Sequence, residues 1–103
     1  MENVDNYLKN IGEQLRQKYA RKVLLFGSYA TGNYEADSDI DLLIIADTQE
    51  KFYARMATVK RLLREYRRGI PLSPIVFTPQ ELENRQKKGD QFILEILEKG
   101  IEL

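Results

Sequence analysis

At 103 residues, with 43% hydrophobic and 31% charged side chains, the chain has the size and composition of one small folded domain. Sixteen basic and sixteen acidic residues balance, so global charge does not argue for attraction to nucleic acid or membrane. Without cysteine or histidine there are no disulfides, no thiolate zinc sites and no Cys or His nucleophile or base. Carboxylate oxygen remains as the metal ligand, which favours Mg²⁺, Mn²⁺ or Ca²⁺. No apolar run approaches the ~20 residues of a membrane span, and no signal peptide opens the chain. The expectation is a single cytoplasmic domain over 1–103.

In chain order, Val4, Tyr7, Leu8, Ile11, Leu15 and Tyr19 recur at three- and four-residue steps, which predicts an amphipathic helix over 3–19. Arg21 to Phe26 reads as a short apolar strand ended by Gly27, and Ser28 is placed to cap a brief helix or turn running to about Asn33. A polar connector leads to a second strand over 39–46, whose run Leu42-Leu43-Ile44-Ile45 suggests burial on both faces. Phe52, Met56, Val59, Leu62, Leu63 and Tyr66 form the stripe of a second long helix closed at Gly69. Leu72 to Phe77 is a third strand. Its Pro74 removes a ladder donor and belongs at an edge or strand start. Thr78-Pro79-Gln80-Glu81 is a capping box with proline at the first helical position. Asp90 caps a last helix stopped by Gly100, and Ile101-Glu102-Leu103 is an apolar tail. Strands alternating with helices give an α/β domain with a small mixed β-sheet flanked by helices. The first two strands need not be parallel, because only about a dozen residues join them.

The chemistry concentrates in Gly27-Ser28-Tyr29-Ala30-Thr31-Gly32 and Asp37-Ser38-Asp39-Ile40-Asp41. A Gly-Ser turn leaving a strand offers bare N–H groups to a phosphate. Asp39 and Asp41, two residues apart on a strand, would project to one side. Two carboxylates held together repel unless a cation neutralises them, and Mg²⁺ suits a site with few protein oxygens plus phosphate. Two rival motifs fail. A Walker loop needs Lys at 33 and Ser or Thr at 34, where the chain has Asn33 and Tyr34. An EF-hand starting at Asp37 needs Gly at its sixth position and Glu at its twelfth, where Leu42 and Thr48 stand. Taken singly, the turn is an ordinary strand end and the aspartates a solvated acidic turn; their order and spacing together make the signal.

That pattern resembles the signature of the polymerase-beta-type nucleotidyltransferase superfamily, and the short length resembles its minimal (MNT) members, found beside HEPN-domain proteins in toxin–antitoxin pairs. The resemblance implies a polymerase-beta palm-like fold, Asp39 and Asp41 as metal-binding and catalytic carboxylates, and Gly27 and Ser28 holding the β- and γ-phosphates, with the following helix start adding its positive dipole end. It implies one or two Mg²⁺ ions, with Mn²⁺ able to substitute, and transfer of a nucleoside monophosphate from a nucleoside triphosphate such as ATP to a hydroxyl. The acceptor would be a partner-protein tyrosine or serine, an RNA end or a small molecule. A HEPN-domain partner or a homo-oligomer would supply its surface. Two departures stand out. Thr31 lies where the family often has Arg, and Ser73 lies where active members carry a third carboxylate. The first departure removes a positive contact near the phosphates. The second favours, as the alternative, a catalytically weakened nucleotide-binding antitoxin that works by binding a HEPN toxin; a regulatory nucleotide-binding module is a third reading. Glu81, the nearest acidic replacement, is better explained by its capping box. The basic segment Lys60 to Arg68 reads as a solvated helix face, with an acidic protein or RNA contact as its functional reading. Phe52, Tyr53 and Tyr66 read as core or interface aromatics.

Overall fold

The computed structural model describes residues 4–66 and 69–103, so Asn3, at the predicted start of the first helix, and Arg67 and Arg68, in the basic segment, lie outside the described residues. The elements run α1 (Val4–Lys18), β1 (Lys22–Phe26), α2 (Ser28–Thr31), β2 (Ile40–Ile45), α3 (Phe52–Leu62), β3 (Leu72–Phe77), α4 (Pro79–Lys87), α5 (Gln91–Lys99) and β4 (Ile101–Glu102). They build a four-stranded sheet in the order β3-β2-β1-β4. The sheet is mixed, as expected. β1 pairs antiparallel with β2 and with β4, while β2 and β3 run parallel, joined by the α3 crossover.

Strand alternation sorts the core into two layers. Val23, Leu25, Leu42, Ile44 and Val76 face α1 and α3, meeting Leu8, Ile11, Leu15, Val59 and Leu63. Leu24, Leu43, Ile45 and Phe77 face the other way, onto Leu82, Ile93 and Ile96 of α4 and α5. Burial on both faces is why β2 reads as an unbroken aliphatic run. Pro74 sits in β3, an edge strand, where its missing N–H costs no inter-strand bond on the open side. The capping box of α4 is complete, with Thr78 Oγ1 accepting from the Glu81 N–H and a Glu81 oxygen accepting from the Thr78 N–H. Asp90 caps α5 by accepting from the Ile93 N–H.

Four expectations are corrected. The C-terminal tail is a strand: β4 pairs with β1, and Leu103 N–H donates to Val23 O at 2.9 Å. Helix α3 stops at Leu62, well before Gly69, and residues 63–66 continue as turns. Its buried line runs through Arg55, Val59 and Leu63, whereas Phe52 and Met56 are exposed and Tyr53 is 85% exposed. Ser28 does not cap α2. Gly27 occupies the cap position, with no side-chain cap bond, and Ser28 is the first helical residue.

Candidate active site

The site is built where β1 ends. Phe26 is the last residue of β1 and is paired in register with Asp41 of β2. Gly27 then turns the chain with φ 74° and ψ −154°, a conformation open essentially to glycine alone. A side chain there would also collide with Asp41 Oδ2 and lie 3.1 Å from Asp41 Cγ. Glycine is required twice at this position, by the backbone and by the carboxylate packed against it. After the turn, the Ala30 and Thr31 N–H groups close onto Gly27 O at 3.1 and 3.3 Å, which leaves those of Ser28 and Tyr29 without a backbone acceptor among the described residues. Helix α2 spans only four residues. Its macrodipole is therefore slight, and the bend's own amides are what it offers an anion.

Asp41 and its neighbours share one sheet face. By alternation from Leu43 and Ile45, Asp41 projects toward the α4/α5 side, as Phe26 does on β1. Asp39 stands just before β2 and is exposed. Ser73 of β3 is paired in register with Asp41, and its hydroxyl donates to Asp39 Oδ2 at 3.0 Å. Burial raises the Asp41 carboxyl above the ordinary aspartate range, and the nearby Asp39 charge adds to the rise. Asp39, Asp41, Ser73 and Gly27 thus gather at one end of the sheet. Asp37 does not join them: among the described residues no three acidic, histidine or cysteine side chains come close enough to hold a metal ion together.

Ser73 is therefore beside the aspartates, in the strand position where the family resemblance implies a third carboxylate. Glu81 is not. It follows the far end of β3, four strand residues or about 13 Å beyond Ser73. It is also occupied, bridging to Arg55 at 2.6 and 3.2 Å while serving the capping box. Sequence reasoning missed this ion pair, because Arg55 looks like one more surface base on a basic helix.

A cleft of about 300 Å³ opens on the β1 side of the bend, between α2 and α5. Phe26, Gly27, Thr31, Phe92, Glu95 and Lys99 are among the residues lining it. Phe26 and Phe92 meet edge to face, ring centres 5.6 Å apart at 84°. Nothing in the linear pattern linked the last helix to the glycine turn; β4 pairing brings them together. No helix among the described residues is long and apolar enough to cross a membrane.

The Asp39–Asp41 pair fits a divalent cation by its donor chemistry. It provides two hard oxygen donors, one of them with its pKa raised chiefly by burial and further by its neighbour's charge, and Mg²⁺ commonly takes one or two carboxylates with water and phosphate completing its shell. The nucleotidyltransferase-domain model matches residues 8–102. A protein of Methanocaldococcus jannaschii named a putative protein adenylyltransferase is 36% identical over 101 residues, covering 95% of each chain. Two others of that organism and name are 36% and 33% identical, over 76% and 75% of this chain and 60% and 78% of their own lengths. The crystal structure of a putative nucleotidyltransferase from Sulfolobus solfataricus superposes with a TM-score of 0.55 at 29% identity, covering 77% of this chain and 70% of that one. With the same fold, and the family model spanning nearly its whole length, the chain belongs to the nucleotidyltransferase domain family.

Proposed function

We propose that this protein is a Mg²⁺-dependent nucleotidyltransferase that moves a nucleoside monophosphate from ATP to a hydroxyl on a partner protein. The observation that carries the proposal is the Asp41 carboxylate packed against Gly27, directly beside the Ser28 and Tyr29 amides that have no backbone acceptor among the described residues. Relatives named as protein adenylyltransferases support both the adenylyl donor and the protein acceptor. Asp39 and Asp41 would hold the metal, which when bound polarises the α-phosphate and stabilises the attacking and leaving oxygens. The Ser28 and Tyr29 amides and the Ser28 hydroxyl would hold the β- and γ-phosphates, orienting pyrophosphate as the leaving group. The Ser73 hydroxyl, donating to Asp39, fixes that carboxylate's orientation but is too weak a base to take the acceptor's proton.

The test is transfer of label from α-labelled ATP to a HEPN-domain partner in the presence of Mg²⁺. Asp39→Asn and Asp41→Asn are each expected to lower transfer by at least about 100-fold, since a metal's charge stabilisation is worth several kcal/mol. Metal-independent ATP binding, or transfer surviving both changes, would refute the proposal. The second variant has a further signature in thermal melts. The folded-state carboxyl of Asp41 is raised, so the site favours the protonated form. The destabilisation this causes is absent below the ordinary aspartate range, grows as pH rises through the raised value, and is complete above it. At neutral pH, without Mg²⁺, Asp41→Asn is therefore expected to raise Tm while abolishing transfer.

Ser73 favours a second reading, in which the protein is a weakened nucleotide-binding antitoxin acting by association with a HEPN toxin. A neutral hydroxyl stands beside Asp41 where a general base would act, and lacking such a base typically costs ~10²–10⁴-fold. Ser73→Asp separates the two. If the hydroxyl limits catalysis, the variant gains roughly tenfold or more in transfer and binds Mg²⁺ more tightly. If transfer is unchanged, the proton leaves by a route that does not involve β3.

A further inference from the structure

We infer that the cleft between β1 and α5 is the nucleoside subsite, taking the base of the triphosphate against Phe92 while the phosphates occupy the glycine bend. This rests on the proposed function and adds to it the place where the base is held. The first argument is register. Phe26 and Asp41 are cross-strand neighbours on the same sheet face, and Phe26 forms the near wall of the cleft. A ligand whose α-phosphate sits at Asp41 therefore begins next to the cleft mouth.

The second argument is the geometry of an in-line displacement. Attacking oxygen, phosphorus and leaving oxygen lie on one axis, and the remaining substituents stand at right angles to it. With pyrophosphate over the Ser28 and Tyr29 amides on the β1 side, the acceptor arrives from the β3 side, where Ser73 lies on the edge strand. The ribose is one of the right-angle substituents. It has the sheet face carrying Phe26 beneath it, and that face leads to α5.

Third, the lining suits a base. The cleft is mainly apolar, about 300 Å³ in volume, the lower end of the ~300–1,000 Å³ range of small-molecule sites. Phe92 is half exposed and set edge to face on Phe26, which leaves ring surface open for stacking. At the rim, Glu95 and Lys99 form an exposed pair 3.6 Å apart on α5. They present one acceptor and one set of donors to the polar edge of a base, an arrangement that recognises a nucleobase edge without fixing which one.

Calorimetric titration with ATP and with inorganic tripolyphosphate, each with Mg²⁺, separates the base from the phosphates. The wild-type protein is expected to bind ATP at least tenfold more tightly than tripolyphosphate. Phe92→Ala should lose roughly tenfold in ATP affinity, the value of one base–aromatic stack, with tripolyphosphate affinity unchanged. Phe92→Trp should retain ATP affinity, and melts of both variants establish that they fold. Equal affinity of the wild type for ATP and tripolyphosphate overturns the inference and leaves the proposed function standing. So does a Phe92→Ala loss common to both ligands, or no loss at all. Failure of the wild type to bind either ligand removes the proposed function, and this inference with it.

Discussion

Gly27→Ala is expected to abolish Mg²⁺-dependent transfer as completely as Asp41→Asn does, although it adds one methyl group and removes no ligand. The methyl has nowhere to go. It would collide with Asp41 Oδ2, and the backbone must hold φ 74° and ψ −154°, where an L side chain is strained. Strain of this kind costs about 1–3 kcal/mol, or very roughly 4–8 °C in Tm per kcal/mol for a domain of this size. The fold can relieve it in two ways, by rotating Asp41 off the bend or by flattening the turn. Either one separates the carboxylate from the amides that would hold the phosphates. Gly32→Ala is the matched control. Gly32 also has a positive φ, 79°, but no atom lies within 4 Å of where its Cβ would be. It should lose stability through strain alone and keep ATP·Mg²⁺ affinity within a few-fold. Transfer by Gly27→Ala within a few-fold of wild type would mean that contact between Asp41 and the bend has no part in the chemistry.

The fold class, most element boundaries, the antiparallel option for β1 and β2, the edge position of Pro74 and both helix caps are local properties. Periodicity, prolines and side-chain caps report them directly. The neighbourhood of Gly27, Asp39, Asp41 and Ser73 was also legible, because each lies at or next to a strand end and strand register does the rest. The misses are of another kind. β4 is two residues long, below any periodicity, and exists because α5 returns the chain to the open edge of β1. Gly12 has the same origin, since a Cβ there would meet Leu103 Cβ at 2.6 Å, a contact 91 positions away in sequence. The cleft beside the bend depends on that return and was invisible for the same reason. α3 misled the reading because its exposed face carries Phe52, Tyr53 and Met56, while an arginine takes a core position.

That arginine supports the largest stability effect expected outside the site. Arg55 is 5% exposed, and every one of its contacts is specific. Its Nε donates to Glu50 O at 3.1 Å, Nη1 to Val76 O at 3.1 Å, and the two Nη atoms grip the Glu81 carboxylate in a fork. One guanidinium thereby ties α3 to the end of β3 and to the start of α4. Glu81→Gln keeps the shape and a side-chain acceptor for the Thr78 N–H, yet leaves the buried cation without its counter-charge. Breaking a fully buried pair costs about 3–5 kcal/mol. The Glu81 side chain is 41% exposed, so water recovers part of this, and a loss of roughly 2–3 kcal/mol is expected. Arg55→Met combined with Glu81→Gln should regain much of it, because no buried charge is then left unpaired. The pH dependence has a definite sign. The Arg55 hydrogen bonds hold the Glu81 carboxyl below the ordinary glutamate range, with Thr78 contributing. Its contribution is full above the ordinary glutamate value and disappears as pH falls through the depressed one. The Tm gap between wild type and Glu81→Gln should close over that interval. Transfer measured below the variant's Tm should be unaffected, since Glu81 lies at the opposite end of β3 from Ser73. A transfer defect in folded Glu81→Gln would instead make Glu81 the missing third carboxylate and overturn the assignment of that place to Ser73.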